Sequence, residues 1–193
     1  RQDLGSSVMV GDIKYRDLNG DGIINTNDRT MISECGTNPQ VNYGFGAYVQ
    51  YKSWDLGVQF TGIGRRNIMM NGFEPFGEGR DGAATTDRNA LQWVADNYFD
   101  PLNPDFNAKY PRLGVAQTDV ANNAVASTYW MRDGSQLRLR NVELGWSFKY
   151  GRIYVNGNNL LRFSKFKIWD PELESWNSYP LSKTVTVGLQ LHI

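Results

Sequence analysis

From Lys183 to Ile193 the odd positions Val185, Val187, Leu189, Leu191 and Ile193 are apolar, while Thr184, Thr186, Gly188, Gln190 and His192 between them are polar or glycine. Successive side chains of a strand point to opposite sides, so this period of two predicts a β-strand with one oily face. Strands of globular proteins run about five or six residues, whereas a tilted membrane-spanning strand needs about 9–11. The length of the pattern therefore restricts the chain more than its composition does.

The same alternation recurs upstream. Tyr43, Phe45, Ala47, Val49 and Tyr51 share one face, and Asn42, Gly44, Gly46, Tyr48 and Gln50 the other. Lys52-Ser53 reads as a tight turn, and Trp54, Leu56, Val58 and Phe60 resume the apolar face opposite Asp55, Gly57, Gln59 and Thr61. This predicts a two-residue hairpin. A second hairpin is expected from Gln136 to Asn156 with its turn at Tyr150-Gly151. Its first strand changes phase, since Leu137 and Leu139 have one parity and Val142, Leu144, Trp146 and Phe148 the other. One extra residue near Arg140-Asn141 would restore a single apolar face, which predicts a β-bulge.

The connections are unequal. Both hairpin turns are short, while 63–128 and 161–182 are long. In an antiparallel meander this puts short turns at one end and long loops at the other, as in outer-membrane barrels. Tyr51, Trp54, Trp146, Phe148 and Tyr150 cluster at the short-turn end, where an interfacial aromatic girdle belongs. A soluble β-sandwich with these residues on its inner faces is the competing architecture. Within the long connection, Leu91, Val94, Ala95 and Tyr98 recur at helical spacing behind Asp87 as N-cap, and Asp100-Pro101 and Asn103-Pro104 end the pattern. A short surface helix is expected there.

Composition excludes more than it assigns. Lys plus Arg and Asp plus Glu both number 20, so no net field draws the chain to nucleic acid or anionic lipid. Arg138 and Arg140 on one strand read more simply as arginines facing a barrel lumen. Mean hydropathy is −0.50, and no apolar run approaches the ~20 residues of a membrane helix. Cys35 is the single cysteine and His192 the single histidine, so an internal disulfide and a His-based triad elsewhere are both excluded. No P-loop occurs, and Asp170 with Glu172 lack a matching base or nucleophile. An enzyme is not expected. The chain opens on Arg1 and is expected to be a piece of a longer one.

The stretch Asp17 to Asp28 fits an EF-hand-type calcium loop. Asp17, Asn19, Asp21, Asn25 and Asp28 supply side-chain oxygens, Gly22 sits where the loop turns sharply, and Ile23 would give its carbonyl. The last position is Asp, where an EF-hand has Glu, as in dockerin-type loops. No amphipathic helix precedes Asp17, so a structural role is expected, with a metal-free cluster of Asx turns as the alternative. A dockerin-like module would need a second loop, and only one is present.

Taken in order, three stretches resemble the C-terminal part of SusC/RagA-type TonB-linked outer-membrane transporters. They are Val10-Gly11-Asp12-Ile13-Lys14-Tyr15-Arg16-Asp17-Leu18-Asn19-Gly20-Asp21-Gly22-Ile23-Ile24, the run from Trp130 to Gly145, and Tyr154-Val155-Asn156-Gly157-Asn158-Asn159-Leu160. Lys109-Tyr110-Pro111-Arg112 and the last strand add to them. The resemblance implies an all-β fold, a segment of a large antiparallel transmembrane barrel of about 22 strands, to which this chain gives about six. It implies import of glycans or peptides, a SusD-like surface lipoprotein as partner, and a TonB complex acting through a plug outside these residues. Thr186, Gly188, Leu191 and Ile193 match a barrel-assembly signal, although that signal usually ends in an aromatic residue. Under this reading Trp93, Tyr98, Phe106, Trp169 and Trp176 are candidate contacts for substrate or partner, with local loop packing as the alternative for each. The runner-up function is a secreted, calcium-stabilised carbohydrate-binding β-sandwich.

Overall fold

The structure is a computed structural model and describes residues 1–71, 92–114, 119–173 and 178–192. The chain forms two compact units, Arg1–Glu34 with Met69–Met131, and Cys35–Ile68 with Arg132–Ile193.

The second unit is built on an antiparallel sheet. Its strands are β1 (Val41–Tyr51), β2 (Trp54–Gly64), β5 (Gln136–Phe148), β6 (Gly151–Ser164) and β7 (Thr184–Leu191), in the spatial order β1-β2-β5-β6-β7. The short β3 (Asn67–Met69) and β4 (Met131–Asp133) pair separately. The first hairpin turns at Lys52-Ser53, where Lys52 takes a φ of 55°. The second turns at Lys149-Tyr150, one residue earlier than the alternation implies.

Register makes one face continuously apolar. One row runs Tyr51, Trp54, Trp146, Ile153, Leu189, the next Val49, Leu56, Leu144, Val155, Val187, and a third Phe45, Phe60, Leu139, Leu161. The phase change in β5 is absorbed as expected, since pairing shifts at Gln59/Phe60 on one side and Leu139/Asn141 on the other. β6 answers with Asn159 at φ 54°, an excursion asparagine tolerates better than most residues.

This apolar face is uncovered. Phe45 is 56% exposed, Val49 60%, Trp54 52%, Val187 71% and Leu189 59%. A sandwich would bury these side chains against a second sheet, so their exposure argues against that architecture. From Tyr43 to Tyr51, at roughly 3.3 Å per residue, the face runs about 26 Å along the strand, or ~20 Å once tilted by ~40°. That approaches the ~25 Å apolar band of an outer-membrane barrel. Aromatic side chains gather at both limits. Trp54 lies 6.3 Å from Trp146, which stacks on Phe148 at 5.6 Å, and Phe45 stacks on Phe60 at 5.1 Å at the other end. Among the described residues no helix is long and apolar enough to cross a membrane, which says nothing against crossing by strands.

The first unit has its own small core, with Met70, Val94 and Val120 fully buried and Phe99 and Trp130 nearly so. Two buried asparagines organise it. Asn123 accepts the Ile13 N–H at 2.8 Å and donates to Asp12 at 2.8 Å, while Asn122 donates to the Ile13 carbonyl at 2.9 Å. Arg112 pairs with Asp12 at 2.7 Å. The short helix α1 (Gln92–Ala95) buries Val94. The expected N-cap Asp87, and Leu91, lie outside the described residues.

Candidate functional site

The face opposite the apolar rows is polar and cross-linked. Asp55 (β2), Glu143 (β5) and Arg152 (β6) form one cluster, in which Arg152 Nε donates to Asp55 at 3.0 Å and Nη2 to Glu143 at 2.8 Å, with a further bond from Nη2 to Asp55. Asn156 donates to Glu143 at 3.0 Å, Asn141 to Asn158 at 2.9 Å, and Asn158 to Thr184 at 3.3 Å. Arg152 and Asp55 reach across the intervening β5, the other partners come from adjacent strands, and the sheet's register sets the order of the network. The Arg152 guanidinium also lies 5.1 Å from the Tyr154 ring centre, and that ring lies over Gly188, where a Cβ would overlap it.

Towards the long-connection end the polar face carries a denser charge cluster. Thr61, Arg138 and Arg162 share a row. Arg138 is only 3% exposed, as is Asp170 from the connection after β6, and the two meet at 2.6 Å. Arg138 Nε lies 3.1 Å from Glu172, Arg140 reaches Glu172 at 2.5 Å, and Arg162 stands 3.6 Å from Asp170. Burial pushes the Asp170 carboxyl up, but the Arg138 hydrogen bond and the Glu172 N–H overcome it, so its pKa falls below the ordinary value. Arg66 adds bonds to the carbonyls of Pro171 and Leu173. Beside this cluster is a recess of about 380 Å³ bordered by Asn42, Thr61, Gln136, Arg140 and Glu172.

The acidic loop closes on itself through its own amides. Asp17 accepts the N–H groups of Gly20 at 2.6 Å and Gly22 at 2.8 Å, and Asp21 accepts that of Ile23 at 2.7 Å. Asp28 accepts from Leu18 and Asn25, each at 2.8 Å, and those bonds hold its carboxyl below the usual carboxylate range. Asn25 caps the 3-10 turn Thr26–Asp28. Gly20 and Gly22 take φ of 78° and 81°. The donors are the hard oxygens calcium prefers. Among the described residues, however, no group of three or more His, Cys, Asp or Glu side chains converges on an ion-sized centre.

Among the described loop aromatics, Trp93, Tyr98 and Phe106 belong to the first unit. Trp93 packs edge-on against Tyr110 at 5.2 Å, and Tyr98 bridges to Tyr110. Phe106 is 82% exposed and meets Phe99 at 5.7 Å. Trp169 belongs to the other unit and is half-buried, while Trp176 lies outside the described residues. Thr186, Gly188 and Leu191 fall on β7, and Ile193 lies outside the described residues. The charge cluster around Arg138 was not anticipated as a site, because Asp170 and Glu172 become its partners only through the fold.

Comparison with known proteins assigns this pattern. The chain is 29% identical over 97% of its length to TonB-dependent receptor P26 of Formosa agariphila, and 25% identical over 92% to TonB-dependent receptor SusC of Bacteroides thetaiotaomicron. This chain is similar to TonB-dependent receptors, SusC among them. It spans 20% of the first receptor and 17% of the second. No protein-family model matches. Solved structures of the RagAB peptide importer share the fold. The open-open state matches 82% of this chain with a TM-score of 0.56 and 23% identity, and the closed-closed state 91% with 0.58 and 21%. The matched segments cover 18% and 20% of those chains. The sheet is thus a section of a TonB-dependent-receptor-type β-barrel, and its relatives are receptors, not enzymes.

Proposed function

We propose that this chain is a C-terminal section of the barrel wall of an importer in the outer membrane of a Gram-negative bacterium. In this reading the importer takes up glycans or peptides, works with a SusD-like lipoprotein on the cell surface, and is driven by a TonB complex acting on a plug elsewhere in the protein. The two-faced sheet is the observation that carries the proposal. Its exposed apolar rows suit hydrocarbon, and its cross-linked polar rows suit a wet lumen or a plug surface.

The edges of the sheet support the same reading. β1 and β7 are its outer strands. An unpaired backbone group in hydrocarbon costs several kcal/mol, so only a closed barrel is tolerated there. Flanking strands must come from elsewhere, and the relatives are about five times longer than the stretch they share with this chain.

Calcium in the acidic loop is part of the proposal. Asp17, Asn19, Asp21, Asn25 and Asp28 would hold it with the Ile23 carbonyl, and it would brace the loop. The test of the main reading is cell fractionation combined with uptake. The protein at its natural length is expected in the outer-membrane fraction with a lipid-modified partner in equal amount, and cells lacking it should lose uptake of one oligosaccharide or oligopeptide class. Recovery as a soluble monomer, with uptake unchanged, would refute it.

A further inference from the structure

We propose that segment 165–173 is a fixed sill, clamped across the polar face of the sheet by Arg138, Arg140 and Arg162, that limits the size of solute able to move along that face. The inference rests on the barrel reading, and adds to it where along the wall selection by size takes place.

Register puts Arg138 on the polar face between Thr61 and Arg162. A lumen-facing arginine would be wet, yet Arg138 is 3% exposed. The connection after β6 covers it, with Phe166 3% exposed and Pro171 fully buried. A buried guanidinium is tolerated only with close partners, and Asp170 and Glu172 supply them at 2.6 and 3.1 Å. The bulge gives Arg140 its part. As the extra residue of β5 it reaches Asn159 at 3.2 Å and Glu172 at 2.5 Å. Arg66 holds the same segment by its backbone carbonyls. Charge-assisted hydrogen bonds from Arg66, Arg138 and Arg140, with Arg162 adding an ion pair at 3.6 Å, are stronger and more geometrically exacting than those of an ordinary surface loop. The neighbouring recess, bordered by Thr61 and Arg140, lies against the sill.

The test uses the protein at its natural length in intact cells, in a Cys35→Ser background with Thr61→Cys as reporter. Membrane-impermeant maleimides of increasing mass are applied, and labelling is normalised to the amount at the surface. With the sill intact, small reagents should label and large ones should be excluded. Asp170→Asn with Glu172→Gln should raise labelling by the large reagents about tenfold, the effect of losing ~1.4 kcal/mol of charged hydrogen bonding. Arg140→Glu alone should do the same, whereas Arg140→Lys, which keeps the charge facing Glu172, should retain most of the exclusion. This second pair keeps the test decisive if the first variant fails to assemble. Equal labelling by small and large reagents in the unaltered sill, or no change on unclamping, would overturn the proposal. Unchanged cargo uptake in cells lacking the protein, with labelling as predicted, would count against the importer reading and leave the sill intact.

Discussion

Arg152 on β6 bonds to Asp55 on β2 across the intervening strand β5, and it can do so because Gly145 on β5 has no side chain. A Cβ at Gly145 would collide with both the guanidinium and the Asp55 carboxylate. The pair is half-hidden, with Arg152 19% and Asp55 8% exposed, and Glu143 completes it from β5.

Gly145→Ala should therefore act as a lesion in the Asp55–Arg152 pair. Separating the two leaves charged groups underbonded and should cost roughly 1–3 kcal/mol. The midpoint of heat-induced mobility change on a detergent gel should fall by several degrees. Arg152→Met, which keeps the bulk and removes the charge, should lower it less in combination with Asp55→Leu than alone.

The two faces should respond oppositely to charge. Leu144→Arg in the middle apolar row should destabilise the folded barrel by about 2–4 kcal/mol, the cost of arginine at a bilayer midplane. Asn156→Arg on the polar face should cost far less, because that side chain meets polar neighbours. Urea unfolding in lipid vesicles would read both.

Calcium in the acidic loop predicts a conditional effect. Asp17→Ala with Asp21→Ala should lower thermal stability in calcium and leave stability in chelator almost unchanged. Equal loss in both would mean that the loop is held by its amide bonds alone, as in a cluster of Asx turns.

Those amide bonds also set a pH dependence. Asp28 is held below the ordinary value of 3.8, chiefly by the Asn25 and Leu18 N–H groups. The folded state thus favours the charged form. Its contribution is complete above the unfolded value and is lost as pH falls through it towards the lower folded value. Proteolysis within 17–28, followed from pH 6 to 3, should accelerate below about pH 4. Asp28→Asn should make the rate nearly independent of pH.

The strands were legible in the sequence wherever side chains alternate cleanly. The bulge at Arg140 was legible because a two-residue period cannot change phase without an extra residue. β6 was visible only to Asn156, because Gly157-Asn158-Asn159 interrupts the pattern and Asn159 bends out of extended geometry. Its continuation to Ser164 is supported by pairing with β5. β3 is too short to alternate. The Arg138 clamp was hidden because its partner Asp170 is 32 residues away and shares no motif with it, so only the register of β5 against β6 places them together. The acidic loop was the reverse case, since its spacing is entirely local.

The central claim is that the apolar rows touch hydrocarbon. Nitroxides placed singly along β7 at 184–190, in the full-length protein in lipid vesicles, test it most directly through collision with oxygen and with a water-soluble nickel complex. Oxygen should dominate at Val185, Val187 and Leu189, and nickel at Thr184, Thr186 and Gln190. Apolar positions shielded from both reagents, as in the core of a soluble body, would contradict the account.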